Sequence, residues 1–415
     1  MCMKHSKTKW IWGGMLFLLL QASVISAEPP PSNSRVFEIP FEYKNHFILI
    51  KLVFEKRLPL TFIFDTGAET TLLTSIEVAS AMSLSYEREI QIVGADLEME
   101  LRAFLVRDVH LKLNELSLDR QSILVLEEDV FHFNEYTGEE IHGILGANVF
   151  RRFVVEIDFE KRVIRLISPN DFVPPKKTQR LPIEVHRGKP YLKTVIKPAN
   201  KPEMEIKLLL DSGAGLAMLL HPDSNPDLDI PEKVVPGNIG MGLGGDLVGV
   251  VGIIPRLYIG ESELREVPVH FQEIANRIDS VFLNQRNGIL GNQILERYTV
   301  TLDYFRGYLY LAPNRKAKKS FPIDKTGLVV IASGPDLNTF LVHAVLNGSP
   351  AQEAGIKPGD VILRINYASF RLLDIDNIYH IFSRRAGKKI RMKVERNGEK
   401  IKLQFRLEPL LEIKR

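Results

Sequence analysis

The stretch Phe62 to Leu73 reads FIFDTGAETTLL. Three β-prone apolar residues, Phe62, Ile63 and Phe64, run straight into Asp65. Thr66 and Gly67 follow, and the chain turns apolar again at Leu72 and Leu73. A carboxylate costs several kcal/mol to bury as a charge without partners. At the end of an apolar strand it is either a turn-former, because Asp-x-Gly closes many strands, or a placed reagent. One copy does not decide between them.

A second copy exists. Ile206 to Leu220 reads IKLLLDSGAGLAMLL, with Asp211, Ser212 and Gly213 in the same order. Downstream of the first copy lies HGILGANVFRRFVVEIDFEKRVIRL, His142 to Leu166. Downstream of the second lies NGILGNQILERYTVTLDYFRGYLYL, Asn287 to Leu311. Asp65 precedes Gly146 by 81 residues, and Asp211 precedes Gly291 by 80. The chain therefore contains an internal repeat whose unit has the size of a domain, not of a solenoid repeat. Both units are rich in short β-type runs broken by Gly, Pro, Asn and Asp. Short helices are expected at Ser75 to Met82, near Asn148 to Arg152 and near Gln293 to Arg297.

Two carboxyls held about 3 Å apart cannot both ionise and share one proton over a wide pH range. The ionised one takes a proton from a water, and the protonated one donates to a carbonyl oxygen. Gly67 and Gly213 allow the sharp turns and close approach this needs. The hydroxyls of Thr66 and Ser212 are placed to tie the two loops together. Asp65 and Asp211 are thus the candidate catalytic pair, one from each half, with no metal or other cofactor implied.

With these motifs in view, residues 35 to 313 resemble the aspartic peptidases of the pepsin and retroviral type. The resemblance rests on FDTGA and LDSGA, each followed by ILG. It implies a mainly β fold with two pseudo-symmetric acid-protease β-barrel lobes, 35–175 and 176–313. It implies hydrolysis of polypeptide substrates in a cleft under β-hairpin flaps. A tandem implies a monomeric peptidase unit; pairing of like lobes between chains is the alternative. The flap glycines would be Gly94 in the first half and Gly242, Gly244 and Gly245 in the second. The first of these regions lacks the flap tyrosine of pepsin-like enzymes, so specificity pockets do not carry over. Gly240, Gly242 and Gly245 also satisfy G-x-G-x-x-G, but a dinucleotide site needs a helix after it, and β-type residues follow here. His142 and His221 read as surface histidines, and Asp158 and Asp303 as hairpin-turn residues.

The C-terminal hundred residues are a separate module. After a basic linker at 314–322 comes SPAQEAGIKPGDVILRIN, from Ser349 to Asn366. Ser349, Pro350 and Gln352 form a helix start with a capping box, and Asn397-Gly398 signals a hairpin. Residues 323–407 resemble a PDZ domain, a small α+β module. PDZ domains bind an extended peptide, often a C-terminus, by strand addition. Gly327, Leu328 and Val329 would form the peptide-binding loop. A fold used only for packing is the alternative.

At 415 residues the chain suits two or three domains. Residues 1–27 carry Lys4, Lys7 and Lys9, an apolar run IWGGMLFLLL and a small-residue stretch. That is a secretory signal peptide, with an uncleaved membrane anchor as the alternative. Without it, 51 basic residues face 51 acidic ones, so charge gives no case for nucleic acid. Cys2 leaves with it, so no thiol remains. Such a chain suits a bacterial periplasm. Two other readings remain open at this stage: a non-catalytic peptide-binding protein and an envelope scaffold.

Overall fold

The computed structural model describes residues 36–93, 100–242, 245–272 and 286–411. The signal segment 1–27, Gly94 and Gly244 lie outside the described residues. Among the described residues no helix is long and apolar enough to cross a membrane.

Each half builds the same knot around its Asp motif. In the first, strand Phe47–Phe54 pairs antiparallel with Leu58–Phe64, which ends beside Asp65. Leu58–Phe64 also runs parallel to Gly143–Leu145, with Phe62 opposite Gly143 and Phe64 opposite Leu145. Gly143–Leu145 in turn pairs with Leu72–Leu73. The second half repeats this. Lys189–Lys197 pairs with Met204–Leu210, which runs parallel to Gly288–Leu290, itself paired with Met218–Leu220. The strands are buried on both faces, which is why they read as continuous apolar runs rather than alternating ones.

The halves are joined by one antiparallel sheet of six strands. Its order is Val36–Lys44, Val163–Ile167, Val154–Asp158, Tyr298–Asp303, Tyr308–Pro313, Gln179–His186. At the centre Thr299 faces Asp158 and Asp303 faces Val154. Asp158 and Asp303 close the hairpins at its ends. Asp158 Oδ1 accepts the amides of Glu160 and Lys161, and Asp303 Oδ1 those of Phe305 and Arg306.

A shared apolar core fills both lobes and includes Phe54, Phe62, Phe150, Phe153, Phe271 and Tyr298. Phe64 stacks on Phe150 with ring centroids 4.4 Å apart. Phe64→Ala would cost about 3–5 kcal/mol through lost burial and a cavity. The helices after each ILG run Ala147–Phe150 and Asn292–Leu295, starting one residue earlier and ending two earlier than the sequence suggests. The first helix, Ile76–Ala81, is capped by Ser75, whose side chain accepts the Val78 amide.

Two expectations need correction. His221 is not at the surface: it is buried, its Nδ1 lies 3.2 Å from the Gln272 carbonyl, and burial pushes its pKa down to about 4. His142 is largely covered, and its Nδ1 accepts the Thr61 amide. In the other half Asn287 Oδ1 accepts the Lys207 amide, so both residues do the same structural task. Arg297 donates to the carbonyls of Lys316 and Lys319 and stacks on Phe321 at 3.7 Å.

The C-terminal module has its own core, centred on Val330, Ile365, Ile378, Phe382 and Val394. Its main strands run Leu328–Ser333, Thr339–Val345, Val361–Ile365, Lys389–Arg396 and Glu399–Arg406. Ser349 caps Pro350–Glu353 as expected, but Gln352 reaches back to the Gly348 amide rather than to Ser349. Asn397 and Gly398 both have positive φ, the conformation a type I′ hairpin turn requires. Helix Ile375–Phe382 is capped by Asp374, whose side chain accepts the Asn377 amide.

Candidate active site

The site is assembled by backbone before any side chain acts. The Asp65 amide donates to the Leu145 carbonyl at 3.1 Å, and the Asp211 amide to the Leu290 carbonyl at 3.0 Å. Each motif aspartate is therefore pinned by the strand of its own ILG element. Asp65 Oδ1 then accepts the amides of Gly67 and Ala68, and Asp211 Oδ1 accepts that of Gly213.

The loops are locked across the lobe boundary. The Thr66 hydroxyl donates to the Leu210 carbonyl, and the Ser212 hydroxyl to the Phe64 carbonyl, both at 2.8 Å. Both residues are buried. The network brings the two carboxyls together across the lobe boundary. Each lies over the opposite glycine. A Cβ on Gly67 would fall 2.5 Å from the Asp211 carboxyl carbon, and one on Gly213 would collide with the Asp65 carboxyl. Glycine is required at both places by space.

Burial raises both carboxyls above the usual carboxylate range. The Asp211 charge pushes Asp65 up further. Asp211 is held down by its bond to Asp65, by the Gly213 amide, and by the nearby cations Arg286 and Lys189.

Residues 50–149 match the family model described as aspartyl protease, and residues 341–396 match that of the PDZ domain. An aspartyl protease domain and a PDZ domain share this chain. A search of the curated proteins found no match to it. The matched protease residues include Asp65 and its ILG element. The second lobe repeats the strand pairings of the first around Asp211.

In the second lobe Val235–Gly242 and Gly245–Ile259 form an antiparallel hairpin, with Gly242 opposite Gly245. No helix follows, so the G-x-G-x-x-G run is not a phosphate cradle. The first-lobe counterpart is the pair Tyr86–Val93 and Glu100–Leu113.

Sequence reasoning missed three residues of the site. Asn292 Nδ2 donates to the Ser212 carbonyl at 2.6 Å and to the His46 carbonyl at 2.7 Å, bracing the second motif. Its repeat counterpart is Ala147, and that difference was visible in the sequence. Lys189 and Arg286 were also overlooked; aligning the two halves position by position would have exposed them.

In the PDZ domain the loop amides are already engaged. The Asp324 carboxylate accepts the amides of Thr326 and Gly327, and the Leu328 amide donates to the Thr326 hydroxyl. Beyond Val329, the Tyr379 hydroxyl lies within hydrogen-bond reach of both the amide (3.1 Å) and the carbonyl (3.2 Å) of Val330. Strand Leu328–Ser333 thus has its ladder groups partly occupied from helix Ile375–Phe382. The same helix meets the first lobe, where the Asn45 amide donates to Asp376 Oδ1 at 2.7 Å.

Proposed function

We propose that the protein is an aspartic endopeptidase in which Asp65 and Asp211 act as one dyad. The observation that carries this is the pair of carboxyls, each held over the glycine of the opposite motif, with the crossed hydroxyls of Thr66 and Ser212 locking the loops. Asp211, ionised, takes a proton from a water lying between the carboxyls. Asp65 gives its proton to the carbonyl oxygen of the scissile peptide as the water oxygen attacks the carbon. A tetrahedral diol results. The proton now on Asp211 passes to the leaving nitrogen, the C–N bond breaks, and one diol hydroxyl gives its proton back to Asp65 as the new carbonyl forms. The step is general acid–base catalysis without a covalent intermediate.

The working unit in this reading is a single chain, exported across the inner membrane into a periplasm by its N-terminal segment. The flaps, with Gly94, Gly242, Gly244 and Gly245, cover an extended polypeptide. The PDZ domain recruits or gates through Gly327, Leu328 and Val329, but strand addition requires the Tyr379 hydroxyl to leave Val330.

The test is cleavage of an unbiased peptide library between pH 3 and 8, read by mass spectrometry beside Asp65→Asn and Asp211→Asn. Loss of cleavage in both variants, with folding retained, supports one shared dyad. Loss in only one rejects it. No cleavage by the parent protein at any pH favours a peptide-binding role.

A further inference from the structure

The strand registers place the two halves in correspondence position by position. Lys44 faces Phe47 in the first hairpin, and His186 faces Lys189 in the second. Leu49 faces Ile63, and Tyr191 faces Leu209. Phe62 is level with Gly143, and Leu208 with Gly288. Hence Phe47 corresponds to Lys189, Leu49 to Tyr191, and Ile141 to Arg286.

In the first lobe this trio is apolar and buried. Phe47, Leu49 and Ile141 belong to one cluster with Phe131 and Phe133. Phe47 meets Phe133 edge-on at 5.6 Å. In the second lobe the same three positions hold two cations and a tyrosine. Lys189 and Arg286 are half-buried, and Arg286 Nε is buried without a hydrogen-bond partner. Among the described residues neither side chain forms a salt bridge. Glu69, whose charge also acts on Lys189, is exposed. Both cations lie close enough to Asp211 to act on its carboxyl electrostatically.

A buried cation without a partner is costly, and a guanidinium fork matches a carboxylate in two parallel bonds. A structural role would have kept the apolar pair, as the first lobe does. We propose that Arg286, with Lys189 beside it, forms a cationic subsite on the second-lobe side of the dyad that receives a carboxylate of the polypeptide substrate. The carboxylate comes from an acidic side chain or from a free chain end. The inference rests on the peptidase reading above, and it makes the two lobes unequal at these positions: closed apolar core in the first and an anion-binding subsite in the second.

The experiment uses the full-length protein and one cleaved peptide in matched forms. Each residue flanking the scissile bond is set to Glu or Gln, and the chain end is a free acid or an amide. The expected result is a preference in kcat/KM of about tenfold or more for the acid at one position, the scale of a charge-assisted hydrogen bond. A Glu preference assigns the side chain, and a free-acid preference assigns the chain end. Arg286→Met should bring the acid-to-amide ratio close to one, and Arg286→Lys should keep part of it. The ratio is taken within each variant, so a general loss of activity does not mimic the effect. Equal cleavage of acid and amide forms by the parent protein overturns the subsite while leaving the peptidase reading intact. A preference that survives in Arg286→Met overturns it as well. If nothing is cleaved, the peptidase reading fails, and calorimetric binding of the same peptides decides. Tighter binding of the acid form that Arg286→Met abolishes supports the subsite, and equal binding rejects it.

Discussion

The Thr66 amide donates to the Ser212 hydroxyl and the Ser212 amide to the Thr66 hydroxyl, both at 3.0 Å. Two residues from opposite lobes thus satisfy each other completely at the lobe boundary. Thr66→Val keeps the shape but strands the Ser212 amide and the Leu210 carbonyl. Each buried group left unpaired costs about 1–3 kcal/mol. Urea unfolding should show that loss, together with reduced activity. Thr66→Ser should retain most of both, because Ser212 already performs this task in the other half.

Replacing Asp65 should separate activity from stability. Asp65→Asn should lower kcat by about 10²–10⁴-fold through loss of the general acid. The effect on stability has the opposite sign. Burial, then the Asp211 charge, raise the Asp65 carboxyl in the folded protein. A carboxyl raised on folding makes the folded state less favourable as pH climbs past the unfolded value of about 3.9. Asp65→Asn should therefore be more stable than the parent at pH 7, with the gain shrinking toward pH 3. Chemical denaturation across that range measures it.

Asp211 responds differently, because burial raises it while Arg286 and Lys189 pull it down. Arg286→Met removes one of those cations. Ionisation of the dyad then needs a higher pH, so the acid limb of the kcat/KM profile should move to higher pH. Arg286→Lys should leave the limb near its original position.

Gly213→Ala tests the space over the dyad. The added Cβ collides with the Asp65 carboxyl, an atom group that cannot retreat without breaking its bonds to Gly67 and Ala68. Activity should fall by about 10²-fold or more, as misplacement by about 1 Å does elsewhere. A variant with parental activity would contradict the geometry described for the two carboxyls.

Tyr379→Phe tests the PDZ groove. It removes the hydroxyl that occupies the Val330 amide and carbonyl. Hydrogen exchange at the Val330 amide should accelerate. A peptide with a free C-terminus should bind the variant more tightly than the parent, measured by fluorescence anisotropy.

Much of the site was legible because catalysis writes itself in short, repeated words. Asp65 and Asp211 each carry a hydroxyl residue, a glycine and a distant ILG, and no structural default produces that twice. Ser75, Ser349 and Asn397-Gly398 were legible because caps and tight turns depend on local backbone geometry. What stayed hidden depends on distant partners. His142 reads as a surface residue until Thr61, 81 positions earlier, is placed beside it. Arg297 reads as the end of a short helix until Phe321 stacks on it. Tyr379 reads as part of an amphipathic helix, and only the fold aims its hydroxyl at Val330.

The central pairing of Val154–Asp158 with Tyr298–Asp303 has a consequence for control. When two separate chains each supply one carboxyl, dilution dissolves the dyad, and assembly itself can serve as the switch. Here the two carboxyls are covalently tethered and zipped by a shared sheet, at an effective concentration that dilution does not touch. Specific activity should stay constant however far the protein is diluted. In the peptidase reading, restraint has to come from what enters the cleft.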